Sequence, residues 1–317
     1  MTTYLVRRLL ISIPVLLGVT VLNFAIIQLA PGSPADLYLD PNAGPDYRER
    51  VEAALGLDQP VLVQYWNWLS QLARGDLGLS YVSRTPVADV LAERIGPTLL
   101  LMGLSLVVAY AIAIPVGILA AKKKGTWVDY TVVGGAFFGV SVPNFFLGLA
   151  LIYIFSLQLG WLPTGNMVTI GGGGGGLVDR ILHLILPVTV LSTAIAGNMV
   201  RYVRASMVDA LSEDYIRTAH AKGLAPKVVT NKHALRNALI PIVTILTVDL
   251  AGLLGGAIVS EQVFQWPGLG LLTIQSISSR DYSVLMGINL VAALAVFTAN
   301  ILADILYAVV DPRIEYR

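Results

Sequence analysis

The chain has 317 residues, of which 56% are hydrophobic and 13% are charged, and its formal net charge is +1. Soluble domains carry about 25% charged residues, so this composition excludes an ordinary water-soluble domain and indicates a membrane protein. The absence of cysteine excludes disulfides and thiolate metal ligands, and the small net charge does not point to nucleic acid.

Six nearly uncharged runs are long enough to cross a bilayer, whose core of about 30 Å needs about 20 helical residues. In chain order they are residues 9–30, 98–121, 130–157, 181–200, 239–260 and 283–310. We therefore predict an all-α polytopic membrane protein with six transmembrane helices. The first run exceeds the roughly 7 to 15 residues of a signal-peptide core and is followed by Pro31, so we expect a retained span.

All lysines lie in two of the loops between these runs. They are Lys122, Lys123, Lys124, Lys222, Lys227 and Lys232. Short cytoplasmic loops accumulate Lys and Arg, so we expect both loops and both chain termini to be cytoplasmic. The polar segment 31–97 contains no lysine and is expected outside, as an insertion after the first helix.

The insertion carries two amphipathic patterns, one at residues 47–55 and one around Tyr65, Trp66 and Trp68. Helices there can form a docking cap for a partner, lie at the membrane interface, or make a small packed lid, and the pattern does not choose among these. Trp161 and Trp266 fall near the predicted outer ends of spans, where we expect them to act as interfacial anchors.

The lysine-containing loop 201–238 predicts a short helix at residues 213–222, about 15 Å long. Its end signals are a cap, two acids in the first turn, a lysine in the last turn and a glycine beyond it, at Ser212, Glu213, Asp214, Lys222 and Gly223. Pro226 can open a second, basic helix. The short helix either docks into a groove of a partner or only solvates this side of the protein.

Several strings then identify a family resemblance. DYIRTAHAKGLAPKVVTNKHALRNALIPIVT resembles the EAA loop of permease subunits in bacterial ATP-binding-cassette (ABC) importers, although Arg217 and Thr218 replace the opening Glu and Ala and Pro241 lies farther along. These departures resemble the dipeptide and oligopeptide (or nickel) group. RRLLISIPVLLGVTVLNFAIIQLAPGSP, PNFFLGLALIYIFSLQLGWLPTGN, SEQVFQWPGLGLLTIQSISSRDYSVLMG and ILYAVVDPRIEYR resemble other segments of that group.

The resemblance implies the type I ABC importer permease fold in a bacterial or archaeal cytoplasmic membrane. Residues 213–223 would form the coupling helix that contacts an ATPase, through Glu213, Asp214, Tyr215, Arg217, Ala219, His220, Lys222 and Gly223. The implied partners are a second homologous permease, two ABC ATPase subunits, an extracytoplasmic substrate-binding protein and the lipid bilayer.

The chain itself is not expected to be an enzyme or to bind a cofactor. It has no GxxxxGK[ST] motif, and the run of six glycines at 171–176 is followed by Leu177 and Val178. We expect that run to be a flexible outer loop, with ATP and Mg²⁺ on the ATPase partners. No metal site is expected. The solute, whether dipeptide, oligopeptide, nickel chelate or a glutathione-like compound, is not readable from the chain.

The predicted organisation has four parts: 1–30 as the first span, 31–97 as the insertion, 98–310 as a five-span core that includes the coupling loop 201–238, and 311–317 as a tail. Asp249 and Asp304 are the acids within the spans, and charge at the bilayer centre costs about 3 kcal/mol, so both are expected to face protein or water. Asp249, Gly252 and Gly256 are candidates for the translocation pathway.

Asp249 can either contact a peptide amine or a gate of the pathway, or form a hydrogen bond to a neighbouring helix. Asp304 lies closer to the inner end of its span, where we expect it to pair with another residue of the protein. One alternative function is a proton-coupled secondary transporter using both acids, but the two halves show no evident similarity. Another is an intramembrane enzyme, but His183 has no serine partner in a nucleophile motif.

Overall fold

The computed structural model describes residues 2–29, 35, 45–171, 175–252 and 258–310. The α-helices of this part are α1 Thr2–Leu29, α2 Pro45–Ala54, α3 Val61–Leu72, α4 Val87–Lys122, α5 Trp127–Ser141, α6 Asn144–Leu151, α7 Leu177–Ser212, α8 Asp214–Ala221, α9 Pro226–Val228, α10 Leu235–Ala251, α11 Ile258–Val263, α12 Leu269–Ser278 and α13 Tyr282–Val310. Two π-helices, Ile152–Gln158 and Val229–Ala234, continue α6 and join α9 to α10.

Four of these helices, α1, α4, α7 and α13, are each long and apolar enough to cross a membrane. Two bent pairs also satisfy this test when each is taken together: α5 with α6 and its π-helix, and the helical segment from Pro226 to Leu250. Counting each pair as one span gives six, in the order that the apolar runs predict. The prediction of an all-α, six-span membrane protein is confirmed.

The third span is not one straight helix, because α5 and α6 meet at an angle of 94°. The break lies at Val142, which has extended backbone angles, followed by Pro143, which caps α6. Proline has no N–H to donate and disfavours helical geometry in the residue before it. Pro14, Pro115 and Pro187, in contrast, lie inside helices that continue past them.

Two helices extend well beyond the predicted apolar runs. Helix α4 begins at Val87, inside the segment expected to be the insertion, and α7 continues to Ser212, inside the segment expected to be the coupling loop. A search for uncharged runs stops at the first charged residues, whereas the helices continue as amphipathic ones. Val87 and Leu91 of the extension are buried against α12 and α13, and this burial keeps the first turns of α4 helical.

Helix α7 lies at the centre of the bundle, where it contacts α4, α5, α6 and α10. In the most apolar stretch of α7, 56% of the residues are buried, whereas only 11% are buried in the corresponding stretch of α1, which lies at the edge of the bundle. Glycines allow the close approach: a Cβ on Gly117 of α4 would lie 2.7 Å from the Val203 side chain, and one on Gly197 of α7 would lie 2.7 Å from the Ala136 carbonyl of α5. Helices α4, α5 and α7 are therefore tightly packed.

The aromatic residues of the insertion divide between packing and exposure. Tyr65 of α3 packs edge-on against Phe24 of α1, and its hydroxyl lies 3.0 Å from the Thr20 hydroxyl. Trp66 is 66% exposed. Both helical patterns expected in the insertion are present as α2 and α3, and α3 packs against α1.

Candidate coupling site and its connections

The short helix predicted in the coupling loop is present as α8, but its N-terminus differs from the prediction. Glu213, with extended backbone angles, is the capping residue, and its side chain makes no capping hydrogen bond. Ser212, the expected cap, is instead the last residue of α7, and its hydroxyl donates to the carbonyl of Asp209 at 2.7 Å. The prediction of a Ser212 cap is wrong because α7 continues up to the turn, leaving only Glu213 between the two helices.

The C-terminus of α8 has the geometry that the sequence predicts. Gly223 has a φ of +74°, in the left-handed region. Its N–H donates to the carbonyl of His220 at 2.9 Å, and the N–H of Leu224 donates to the carbonyl of Ala219 at 3.3 Å. These two bonds form a Schellman motif, which ends the helix and satisfies carbonyls that the helix leaves open.

Helix α8 has one buried and one exposed face. Ile216 and Ala219 are 3% and 5% exposed, and they belong to the same apolar cluster as Met207 of α7 and Ala234 and Ala238 around α10. The remaining proposed contact residues are exposed: Glu213, Asp214, Tyr215, Arg217, His220, Lys222 and Gly223. Ala219 thus packs in this cluster and helps to anchor α8, and its expected role in coupling to a partner stays a prediction.

The exposed face of α8 is charged, and two of its charged side chains contact each other. Asp214 and Arg217, one turn apart, form an exposed ion pair. Glu213 and Tyr215 also line a cavity of about 360 Å³ between α7, α8 and α10, together with Asp209. The outer surface of α8 therefore offers both charges and a neighbouring recess, which suits insertion into a polar cleft of another protein.

Helix α8 is joined to the fifth span by an almost continuous helical path. Pro226 is the first residue of α9, as the sequence predicts, and the π-helix from Val229 leads directly into α10. Val229 and Thr230 are buried in this connection. The path bends by 51° around Pro241. Displacement of α8 can therefore reach α7 on one side and α10 on the other.

The candidate pathway residues lie apart from α8. Asp249 of α10 is partly buried and accepts a hydrogen bond from the Tyr110 hydroxyl of α4 at 2.8 Å. Gly252 is exposed at the end of α10, while Gly256 lies outside the described residues. The side chain of Asp304 also lies outside them. The structure gives Asp249 a bond to a neighbouring helix, which is one of the two roles that the sequence left open.

A buried carboxylate that the sequence analysis did not identify connects α4, α11 and α12. Glu261 of α11 is fully buried and accepts hydrogen bonds from the Thr98 hydroxyl at 2.9 Å and from the Leu271 N–H at 3.0 Å. The Thr98 hydroxyl in turn accepts a bond from the Leu269 N–H at 2.8 Å. The carboxylate thus sits at the N-terminus of α12, where helix N–H groups favour negative charge. The sequence feature that could have predicted this site is an acidic residue shortly before the Pro-Gly-Leu-Gly stretch at 267–270.

Trp266 belongs to the same structure and is not an interfacial anchor. Its side chain is fully buried, and its indole N–H donates to the carbonyl of Pro97 at 2.9 Å. It packs with Leu101 of α4 and Leu184 of α7. The sequence expectation is wrong here because the chain folds back between α11 and α12. Trp161, the other expected anchor, is 66% exposed.

Burial raises the pKa of the Glu261 carboxyl above its usual range, partly opposed by the hydrogen bonds from Leu271 and Thr98. A folded-state pKa above the unfolded value means that ionisation weakens folding, so the stability is fully present below about pH 4.5 and decreases as the pH rises through the folded pKa. We expect the apparent Tm of the wild-type protein, relative to Glu261→Gln, to fall as the pH rises above about 4.5. A pH-independent difference in thermal denaturation would contradict this assignment.

Comparisons with known proteins agree with this architecture. Residues 113–316 match the family model of the binding-protein-dependent transport system inner membrane component, and residues 1–102 match the model of its N-terminal part. The chain is 46% identical to the oligopeptide transport system permease protein AppB of Bacillus subtilis and 45% identical to the glutathione transport system permease protein GsiC of Escherichia coli K12. Both alignments span 317 residues and 100% of each chain.

The fold is similar to that of a solved structure of the MetNI methionine ABC transporter in an inward-facing conformation. The TM-score is 0.57 at 19% sequence identity, over 70% of this chain and 96% of the transporter chain. The part of the chain covered by the first family model includes α8 and both helices to which it is joined. This chain therefore belongs to the family of binding-protein-dependent transport system inner membrane components and is a multi-pass permease subunit of an ABC importer.

Proposed function

We propose that the chain forms half of the translocation pathway of an importer for peptides or peptide-like solutes. The single observation that carries this proposal is the division of α8 into a buried face of Ile216 and Ala219 and an exposed charged face. The buried face holds α8 to α7 and α10, so force applied to the exposed face reaches two long helices. The names of the relatives AppB and GsiC favour oligopeptides or glutathione-like compounds as solutes.

In the proposed complex, a second homologous permease completes the pathway, two ABC ATPase subunits bind ATP and Mg²⁺, and a substrate-binding protein delivers the solute from outside. Helix α8 contacts one ATPase through its exposed residues. Ala121, which directly precedes Lys122 to Lys124, belongs to the same buried cluster as Ile216 and Ala219 of α8, so the three lysines lie at the same end of the bundle as α8 and support a cytoplasmic location for this end. Residues 31–97 then lie outside, and both termini lie in the cytoplasm.

The decisive experiment is solute uptake into proteoliposomes that contain this chain with its partner permease and ATPases. We expect uptake of a radiolabelled tetrapeptide or of glutathione, presented by the binding protein, to require ATP and to persist with a protonophore. The chain purified alone should hydrolyse no ATP. Uptake that needs a proton gradient and proceeds without the ATPases would contradict the proposal.

Asp249 provides a test within the chain itself. Replacing Asp249 by asparagine leaves an acceptor for the Tyr110 hydroxyl, which now lies 2.8 Å from the carboxylate. We expect Asp249→Asn to retain ATP-dependent uptake within about fivefold, since the hydrogen bond is kept and a typical hydrogen bond is worth about 1 kcal/mol in total. Tyr110→Phe, which removes the donor, is the matched variant. Complete loss in Asp249→Asn with normal assembly would contradict a purely structural role for this acid.

A further inference from the structure

A partly buried ion pair lies at the same end of the bundle as α8, away from the coupling residues, and the side chain of its arginine, Arg204, is 27% exposed. Asp129, in the first turn of α5, is 2% exposed. Both of its carboxylate oxygens accept hydrogen bonds from Arg204 of α7, with 2.7 Å between the Arg204 Nη2 and one oxygen. This bidentate arrangement fixes the relative orientation of the two groups as well as their distance.

The same carboxylate also holds the loop that precedes α5. The N–H of Gly125 donates, at 3.0 Å, to the same Asp129 oxygen that accepts from Arg204 Nη2, and Gly125 has a φ of +77°. This glycine follows the three lysines at the end of α4. One side chain therefore joins the α4–α5 loop, the start of α5 and the last third of α7.

The position of Arg204 relates the pair to the coupling helix. Arg204 precedes Glu213 by nine residues of continuous helix, a separation of about 13 Å along α7. Next to it, Val203 packs against Gly117 of α4 so closely that a Cβ there would lie 2.7 Å away. The pair thus lies where α7, after its tight contact with α4, continues toward α8.

Stability alone does not account for such a pair. Even fully buried ion pairs are often replaceable by apolar residues of similar volume without loss of stability, because desolvation offsets the attraction between the charges, and exposure of one partner to water weakens that attraction further. What a bidentate pair supplies is one defined arrangement of the helices that it joins. A motion of α8 that shifts α7 will then carry the start of α5 with it instead of letting the two helices slide.

We propose that Asp129 and Arg204 are positioning residues that make the start of α5 move together with the coupling helix, so that ATP-driven displacement of α8 reaches the α5–α6 span. This proposal rests on the proposed importer function. Neither residue contacts the solute or the ATPase in this proposal. Their loss should lower the solute transported per ATP hydrolysed, because α7 can then move without α5.

The test uses the reconstituted complex and measures uptake and ATP hydrolysis in the same vesicles. Asp129→Asn and Arg204→Gln should each lower the ratio of solute transported to ATP hydrolysed at least fivefold, with basal ATPase activity retained. The double variant should lose no more than either single variant, because both remove the same interaction. Arg48→Gln, which removes an exposed ion pair with Glu52 in α2, is the control and should leave the ratio unchanged.

A distance measurement separates positioning from a structural role. The chain contains no cysteine, so Thr126→Cys and Ser212→Cys, both at exposed positions, introduce the only sites for spin labels on this subunit. The distance between the labels should be the same with and without bound ATP in the otherwise wild-type complex, and should change with ATP when Asp129→Asn is added.

An unchanged transport ratio in both single variants would overturn the proposal, and so would a loss of uptake and ATPase activity that only follows the amount of assembled complex. A label distance that is insensitive to Asp129→Asn would also overturn it. Failure of the importer function itself is distinguishable, because the wild-type complex would then show no ATP-dependent uptake.

Discussion

Replacing Gly223 by valine is expected to lower ATP-driven uptake at least tenfold while the subunit remains in the membrane and in its complex. Gly223 ends α8 with a φ of +74°, and a β-branched residue in that region costs on the order of 1 to 3 kcal/mol. No atom lies within 4 Å of a Cβ at this position, so the effect comes from the backbone and not from a collision. The Schellman bonds to His220 and Ala219 would weaken, and the end of α8 would lose its defined orientation.

Two variants control for this result. Gly223→Asn should retain most of the uptake, because asparagine tolerates the left-handed region. Gly75→Val introduces the same type of strain at a φ of +81°, also with nothing near the Cβ, in the turn after α3. It should leave the uptake per assembled complex unchanged. Wild-type uptake in Gly223→Val, measured in proteoliposomes with equal amounts of complex, would remove Gly223 from the coupling role.

Replacing Gly268 by alanine should destabilise the protein by about 3 kcal/mol and reduce the yield of folded complex. A Cβ at Gly268 would lie 2.4 Å from both the Glu261 carboxylate and the Thr98 hydroxyl, much closer than real contacts allow. One of the two buried groups must move, which breaks a charge-assisted hydrogen bond of about 1.5 to 3 kcal/mol and adds packing strain. Thermal denaturation of the purified complex gives the measurement.

The matched control is another Gly→Ala substitution in the same region. Gly96 lies in α4, two residues before Thr98, and a Cβ there meets nothing within 4 Å. Gly96→Ala should be neutral or slightly stabilising, since alanine is favoured over glycine in a helix by up to about 1 kcal/mol. Equal Tm values for Gly268→Ala and Gly96→Ala would show that the cradle around Glu261 is not as tight as the structure indicates.

Features that depend on local sequence were predictable. The apolar runs predicted the number and order of the six spans, because the bilayer requires a minimum length of uncharged helix whatever the tertiary packing, although the fifth span begins at Pro226, before the run at 239–260. The end of α8 was predictable for the same kind of reason: a glycine after a lysine-terminated turn satisfies the helix carbonyls through bonds only three to five residues long. Pro226 as the first residue of α9 follows from its missing N–H.

Features that depend on what a segment packs against were predicted less well. The helices α4 and α7 continue past their apolar runs because one face of each extension finds a buried contact. The same continuation made Ser212 the end of α7 instead of the cap of α8. Trp266 became a core residue because Pro97, 169 positions earlier, accepts its indole N–H.

The sequence by itself determined that this protein spans a membrane, where its spans lie, and where its coupling helix ends, since each of these follows from hydropathy or from hydrogen bonds within a few residues. Only the tertiary structure decided which charges are buried and joined. Thr98 and Glu261 are 163 positions apart, and Asp129 and Arg204 are 75 apart. Pairs so distant carry no local pattern, because their geometry exists only after the helices have packed around α7.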